Sequence, residues 1–143
     1  MRTRRLAVSI LAGLLLMAAA PLWAHHAFNQ EFDGNKPLKL RGTVKKMEWI
    51  NPHSWIHLDV KGDDGKVVEW MIEGGSPNAL IRAGFTTASL PSGTEILVEA
   101  FQAKDGTKKA CGVDLTFAKD GKRLFLGGSA PGAGGNQTPA EER

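Results

Sequence analysis

The sequence predicts an all-β fold with one short helix, closed as a barrel of five to six strands. Three observations carry this. Asp-Gly turn signals stand at Asp64-Gly65, Asp105-Gly106 and Asp120-Gly121 and cut the chain into lengths suited to strands. The segments between them alternate apolar and polar residues, the period of a half-buried strand. The 17 Gly and 7 Pro among 143 residues, with 42% hydrophobic content, suit tight turns around an ordinary core.

Residues 1–24 read as a leader rather than as part of the fold. Met1–Arg5 is basic, Leu6–Ala20 is apolar but too short to span a bilayer comfortably, and Trp23-Ala24 ends on a small residue. The expectation is a signal peptide cleaved after Ala24, followed by a domain over residues 25–127 in the periplasm or outside the cell. Arg4-Arg5 is followed by Leu6, Ala7 and Val8, a poor fit to the twin-arginine motif, so export falls to the Sec route. No cysteine lies near the cleavage point to carry a lipid, and no later stretch is apolar enough for a membrane helix.

Pro37–Ile50 predicts a long first strand with Leu38, Leu40 and Val44 facing inward and an interruption at Gly42. Asn51-Pro52 turns the chain into the second strand. Asp63-Asp64-Gly65 is read as a three-residue loop with Gly65 in the left-handed region, because that spacing alone sets Val60 against Val68, Leu58 against Trp70 and Ile56 against Ile72. Ser76 suits an N-cap, Pro77 the first helical position and Gly84 the stop, which places the helix between the third and fourth strands. Read as a two-residue loop, Asp105-Gly106 sets Ala100 against Cys111, Val98 against Val113 and Ile96 against Leu115. The Asp120-Gly121 turn likewise sets Phe117 against Leu124 and Leu115 against Leu126. Residues 128–143 are Gly, Ala, Pro and polar residues and predict a disordered tail. Three strands, a helix, two strands and a short last strand make the OB-fold-like Greek-key arrangement.

The charge excludes a basic nucleic-acid binder. Removing Arg2, Arg4 and Arg5 of the leader from the 18 Lys+Arg leaves 15, against 15 Asp+Glu, so the exported chain is formally neutral. The one cysteine, Cys111, has no partner for an internal disulfide and reads as a small inward-facing core residue.

Two readings of function come from the residues. His25 and His26 would begin the mature chain, where an α-amine and the first imidazole can chelate one ion; copper(II) favours nitrogen ligands in this way. Copper, or another transition metal, is therefore the expected cofactor, on His25 and His26 with His53 as a further ligand. The plainer alternative is a solvated chain end. The second reading uses the outer face of the second and third strands, where Trp55, His57, Asp59, Glu69, Met71 and Glu73 lie outward, with His57 opposite Met71. That face suits an oligosaccharide, a small ligand or a protein partner, and its carboxylates suit no phosphate backbone. Enzyme signatures are missing: there is no Gly-x-Ser-x-Gly, His-Glu-x-x-His or Cys-x-x-Cys, and no glycine-rich phosphate loop. A non-enzymatic binding protein is the expectation.

Four segments also carry a resemblance: His25-His26-Ala27-Phe28, Asn51-Pro52-His53-Ser54-Trp55, Gly75-Ser76-Pro77-Asn78 and Lys104-Asp105-Gly106. They resemble a family of small exported bacterial proteins known only as a domain of unknown function, with Ala27 standing where Ser is usual. Members resemble periplasmic OB-fold stress proteins in architecture. The resemblance implies that fold and export, and it implies no catalytic residue.

Overall fold

The computed structural model describes residues 28–130. Six strands follow in order: β1 (Phe32–Glu48), β2 (Trp55–Lys61), β3 (Val67–Glu73), β4 (Glu95–Ala103), β5 (Lys109–Phe117) and β6 (Arg123–Phe125). Helix α1 (Pro77–Arg82) lies between β3 and β4, and residues 28–31 add a helical turn before β1 that the sequence reading did not anticipate. The hydrogen-bonded order β3-β2-β1-β4-β5-β6, with β3 also paired to β5, closes β1 to β5 into a ring. The closing seam is parallel and short: Met71 meets Lys109, Ile72 meets Ala110 and Glu73 meets Cys111. The all-β, OB-fold-like barrel expectation holds.

The β2–β3 hairpin has the predicted register throughout, with Leu58 opposite Trp70, Ile56 opposite Ile72 and His57 opposite Met71. Gly65 takes φ +80°, which a side chain would strain. Strand β1 runs Phe32–Glu48 rather than Pro37–Ile50 and serves two neighbours, pairing with β4 through Thr43 and with β2 from Thr43 onward. Gly42 stands at the changeover, where a Cβ would come within 2.5 Å of the Asp59 carbonyl oxygen. The register shift sits at Lys45, between Val44 and Lys46, three residues beyond the expected place.

Two predicted registers are corrected. In β4–β5, Val98 faces Leu115 and Ile96 faces Phe117, while Ala100 faces Gly112 and Cys111 faces Phe101. The loop is longer than two residues, and Val113 is an extra residue between the Gly112 and Asp114 pairings. In β5–β6, Leu115 meets Leu124, not Leu126, because residues 118–121 form a four-residue loop closed from Phe117 N–H to the Lys122 carbonyl. Helix α1 begins as expected, with Ser76 Oγ accepting from Ala79 N–H, and Gly84 follows its end at φ +94°.

The barrel interior is filled by Val44, Ile56, Leu58, Trp70, Ile72, Ile96, Val98 and Leu115. Leu80 of α1, Phe85 and Leu126 pack into the same cluster, with Trp49 at its margin. A second apolar cluster lies on the other face of β5, where Phe28, Phe32, Ala103, Cys111 and Ala130 are buried together with Phe101 and Val113 against them. Phe28 packs edge-on against Phe101 at 5.6 Å between centroids and stacks on Phe32 at 5.9 Å. Cys111 is thus buried as expected, but in this outer cluster rather than inside the barrel. The packed chain continues through Ala130, past the boundary expected at 127: Leu126 N–H bonds the Val113 carbonyl, and Gly128 lies against Gly112 and Cys111.

Candidate functional site

Strands β1, β2, β3 and β5 present one continuous outer face, because their ladders set Glu48 beside Trp55, Trp55 beside Glu73, and Glu73 beside Cys111. Two polar clusters occupy it. The first centres on His57, whose ring is 9% exposed. Its Nδ1 lies 2.6 Å from Glu69 Oε1, and its Nε2 lies 3.5 Å from Glu48 Oε1 without forming a hydrogen bond. Lys45, thrown out by the irregularity in β1, donates to Glu69, and Lys46 donates to Glu48. The His57 hydrogen bond and the Lys45 ammonium hold the Glu69 carboxyl down at about 2. Lys46 lowers Glu48 chiefly through its hydrogen bond, and His57 assists.

The second cluster centres on Glu73, which is 2% exposed. Ser129 Oγ donates to Glu73 Oε1 at 2.9 Å, and His53 Nδ1 lies 3.3 Å from the same oxygen. Burial pushes the Glu73 carboxyl above the usual carboxylate range, with His53 and Ser129 opposing the shift and the nearby Glu31 charge reinforcing it. Ser129 Oγ also lies 3.6 Å from Cys111 Sγ, a thiol that burial raises to about 11. Phe28 and Cys111 share the outer apolar cluster, which sets Phe28 near this polar chain of contacts.

His57, Asp59, Glu69, Met71 and Glu73 do share a face, and His57 does oppose Met71. His57 is nevertheless committed to Glu69, and Glu73 is covered by Ser129, so neither is free on an open surface. Trp55 is half-buried, with Lys109 Nζ 5.9 Å from its ring centroid. Among the described residues, no group of three or more His, Cys, Asp or Glu could hold a metal ion. The two carboxylates at His57 lie at opposite nitrogens, and only Glu69 is hydrogen-bonded to the ring. His25 and His26 lie outside the described residues, as does the whole leader; His53 lies within them, with its ring 37% exposed. Sequence reasoning missed Lys45, Glu48 and Ser129. The first two needed the β1 irregularity to be placed, and Ser129 sat in the glycine-rich stretch read as tail.

Fold and site together define a small closed β-barrel with paired histidines and carboxylates on one outer face and Phe28 packed over β5. The chain belongs to the family of unknown function DUF6152, whose model matches residues 12–113. No significant match was found among curated proteins or among solved structures. No helix among the described residues is long and apolar enough to cross a membrane.

Proposed function

We propose that this protein is an exported, non-enzymatic binding module for a transition metal, with copper(II) favoured, held by the α-amine and imidazole of His25, by His26 and by His53. One observation carries the proposal. Phe28 is 1% exposed and fixed by two aromatic contacts, so His25 and His26 are rooted three and two residues from a rigid point. That point belongs to the cluster that reaches His53 through Cys111, Ser129 and Glu73. An anchored root lowers the entropy lost when a chain end closes on an ion. The outer-face reading is less well supported, because the His57 ring is nearly buried with Nδ1 on Glu69, and Ser129 covers Glu73.

The test is competition against a copper indicator, using untagged protein purified from the periplasm. Tight copper(II) binding that a single Gly inserted before His25 weakens severely, while His57→Ala leaves it unchanged, supports the reading. Equal affinities for the parent and the insertion variant overturn it, because the insertion moves the amine away from the ring and keeps every side chain.

A further inference from the structure

The seam that closes the barrel is shorter than β3 itself. Strand β3 pairs with β5 only at Met71, Ile72 and Glu73, so Val67, Val68 and Glu69 have β2 on one side and, among the described residues, no strand on the other. Two hydrogen bonds fix which backbone groups face the open side. The Lys66 carbonyl accepts from Gly62 N–H inside the hairpin, whereas Met71 N–H donates to the Lys108 carbonyl across the seam. Successive residues turn their backbone groups to alternate sides, so Val67 and Glu69 each point an N–H and a C=O away from β2. The side chains here are apolar and accessible: Val67 is 62% exposed and Val68 38%. Strand β1 has an open edge of another kind. Before Thr43 it pairs with β4 alone, and the same alternation, set by Val44 N–H on the Thr94 carbonyl, turns Pro37, Lys39 and Arg41 outward. A proline and exposed cations are devices that keep an edge from pairing; the β3 edge has neither between Val67 and Glu69.

We infer that the β3 edge is an interface with a second copy of this chain, the two β3 strands pairing antiparallel about a twofold axis at Val68. A twofold interface needs a surface complementary to itself, and this edge is one. With the axis at Val68, Val67 of each copy exchanges N–H and C=O with Glu69 of the other, so every outward group of the open stretch is paired. Val68 meets Val68 at the non-hydrogen-bonded position, where side chains approach most closely. The neighbouring symmetric registers are worse. An axis at Val67 sets Glu69 opposite Gly65 in the turn, and an axis at Glu69 opposes two carboxylates and calls on Met71, whose N–H is already used. With the axis at Val68 each chain turns back toward its own β2 at Gly65, level with Met71 of the other copy, where β5 takes over the edge. Glu69 brings no bare charge to the contact, because Lys45 and His57 hold its carboxylate on the outer face. So short an edge makes a weak, concentration-dependent dimer.

The test is sedimentation equilibrium of the untagged protein from micromolar to millimolar concentration, with melting curves to confirm that each variant is folded. The parent should show a reversible monomer–dimer equilibrium. Val67→Pro removes an outward N–H and no β2–β3 bond, at the first residue of the strand where proline is tolerated. It should weaken association by about tenfold or more, since symmetry removes the bond twice. Val68→Lys and Val68→Glu should each be monomeric alone, because like charges meet on the axis, and an equimolar mixture of the two should dimerise at least as well as the parent. A parent that stays monomeric at millimolar concentration overturns the inference, including the case in which the edge instead captures an extended peptide of another protein. Parent-like dimerisation of Val67→Pro overturns it, as does a mixture that associates no better than either Val68 variant alone.

Discussion

Glu69 and Glu73 sit two turns of the pleat apart on β3, and their surroundings push them in opposite directions. Glu69 is lowered to about 2 by the His57 hydrogen bond and Lys45, so the stability it contributes is present above the unfolded value near 4.5 and is lost as pH falls through about 2. Glu69→Ala should therefore lower the melting temperature at pH 7, and the gap from the parent should close as the buffer approaches pH 2. Glu73 is raised by burial, so the sign reverses. The fold favours its protonated form, and that contribution is full below the unfolded value and lost as pH rises through the folded one. Glu73→Gln should accordingly melt higher than the parent at pH 7, by about a few degrees, with the advantage shrinking at pH 4. A scan of melting temperature against pH for the three proteins checks both signs.

The β2–β3 hairpin is the element on which barrel packing depends most visibly. Trp70 faces Leu58 inside it, with Lys108 Nζ 5.1 Å from the indole centroid at the rim. Trp70→Ala should cost about 3–5 kcal/mol by leaving a cavity, a large part of the roughly 5–15 kcal/mol that holds a small domain folded; denaturant titration measures it. Gly42→Ala should cost about 1–3 kcal/mol or more, because the methyl would meet backbone of β2 that cannot swing aside. This hairpin was legible in the sequence because only one face of each strand is apolar, so only one loop length matched apolar to apolar. Strand β5 was not legible for the opposite reason. It buries Ala110 and Leu115 in the barrel and Cys111 beneath Phe28 and Phe32, so alternation cannot tell its faces apart. The β6 error kept the correct face, since Leu124 and Leu126 are both leucine and a shift of two residues preserves the pattern. His57 and Glu73 were legible as polar residues on one strand pair, whereas His53, expected on the second strand, lies just before β2. Their true partners came from elements that local sequence cannot place: a one-residue irregularity in β1, and Ser129 beyond β6.

At the scale of the whole molecule, net charge outweighs fold resemblance. Without Arg2, Arg4 and Arg5 of the expected leader, 15 basic residues face 15 acidic ones, and several on the barrel are paired, as in Lys39 with Glu99, Arg41 with Glu95 and Arg123 with Asp114. A neutral barrel has no long-range attraction for phosphates, whatever groove it offers. The mature protein should therefore show no binding of single-stranded DNA tighter than about 10⁻⁴ M at physiological salt, the weak end of non-specific affinity. Fluorescence anisotropy with a labelled oligonucleotide measures this, and micromolar, salt-sensitive binding would contradict it.

Phe28 and Ala130, the first and last described residues, are buried in one cluster over β5. Chain ends that meet in this way can be joined, and a chain whose ends are joined can be opened elsewhere. A circular permutant linking residue 130 to residue 28 through a few glycines, with new ends in the exposed Asp63–Gly65 loop, should fold to the same barrel. It would put both chain ends at the tip of the β2–β3 hairpin while keeping Phe28, His53 and Glu73 in place. Such a molecule asks whether the barrel depends on the order in which its strands are joined or only on the faces they bury together.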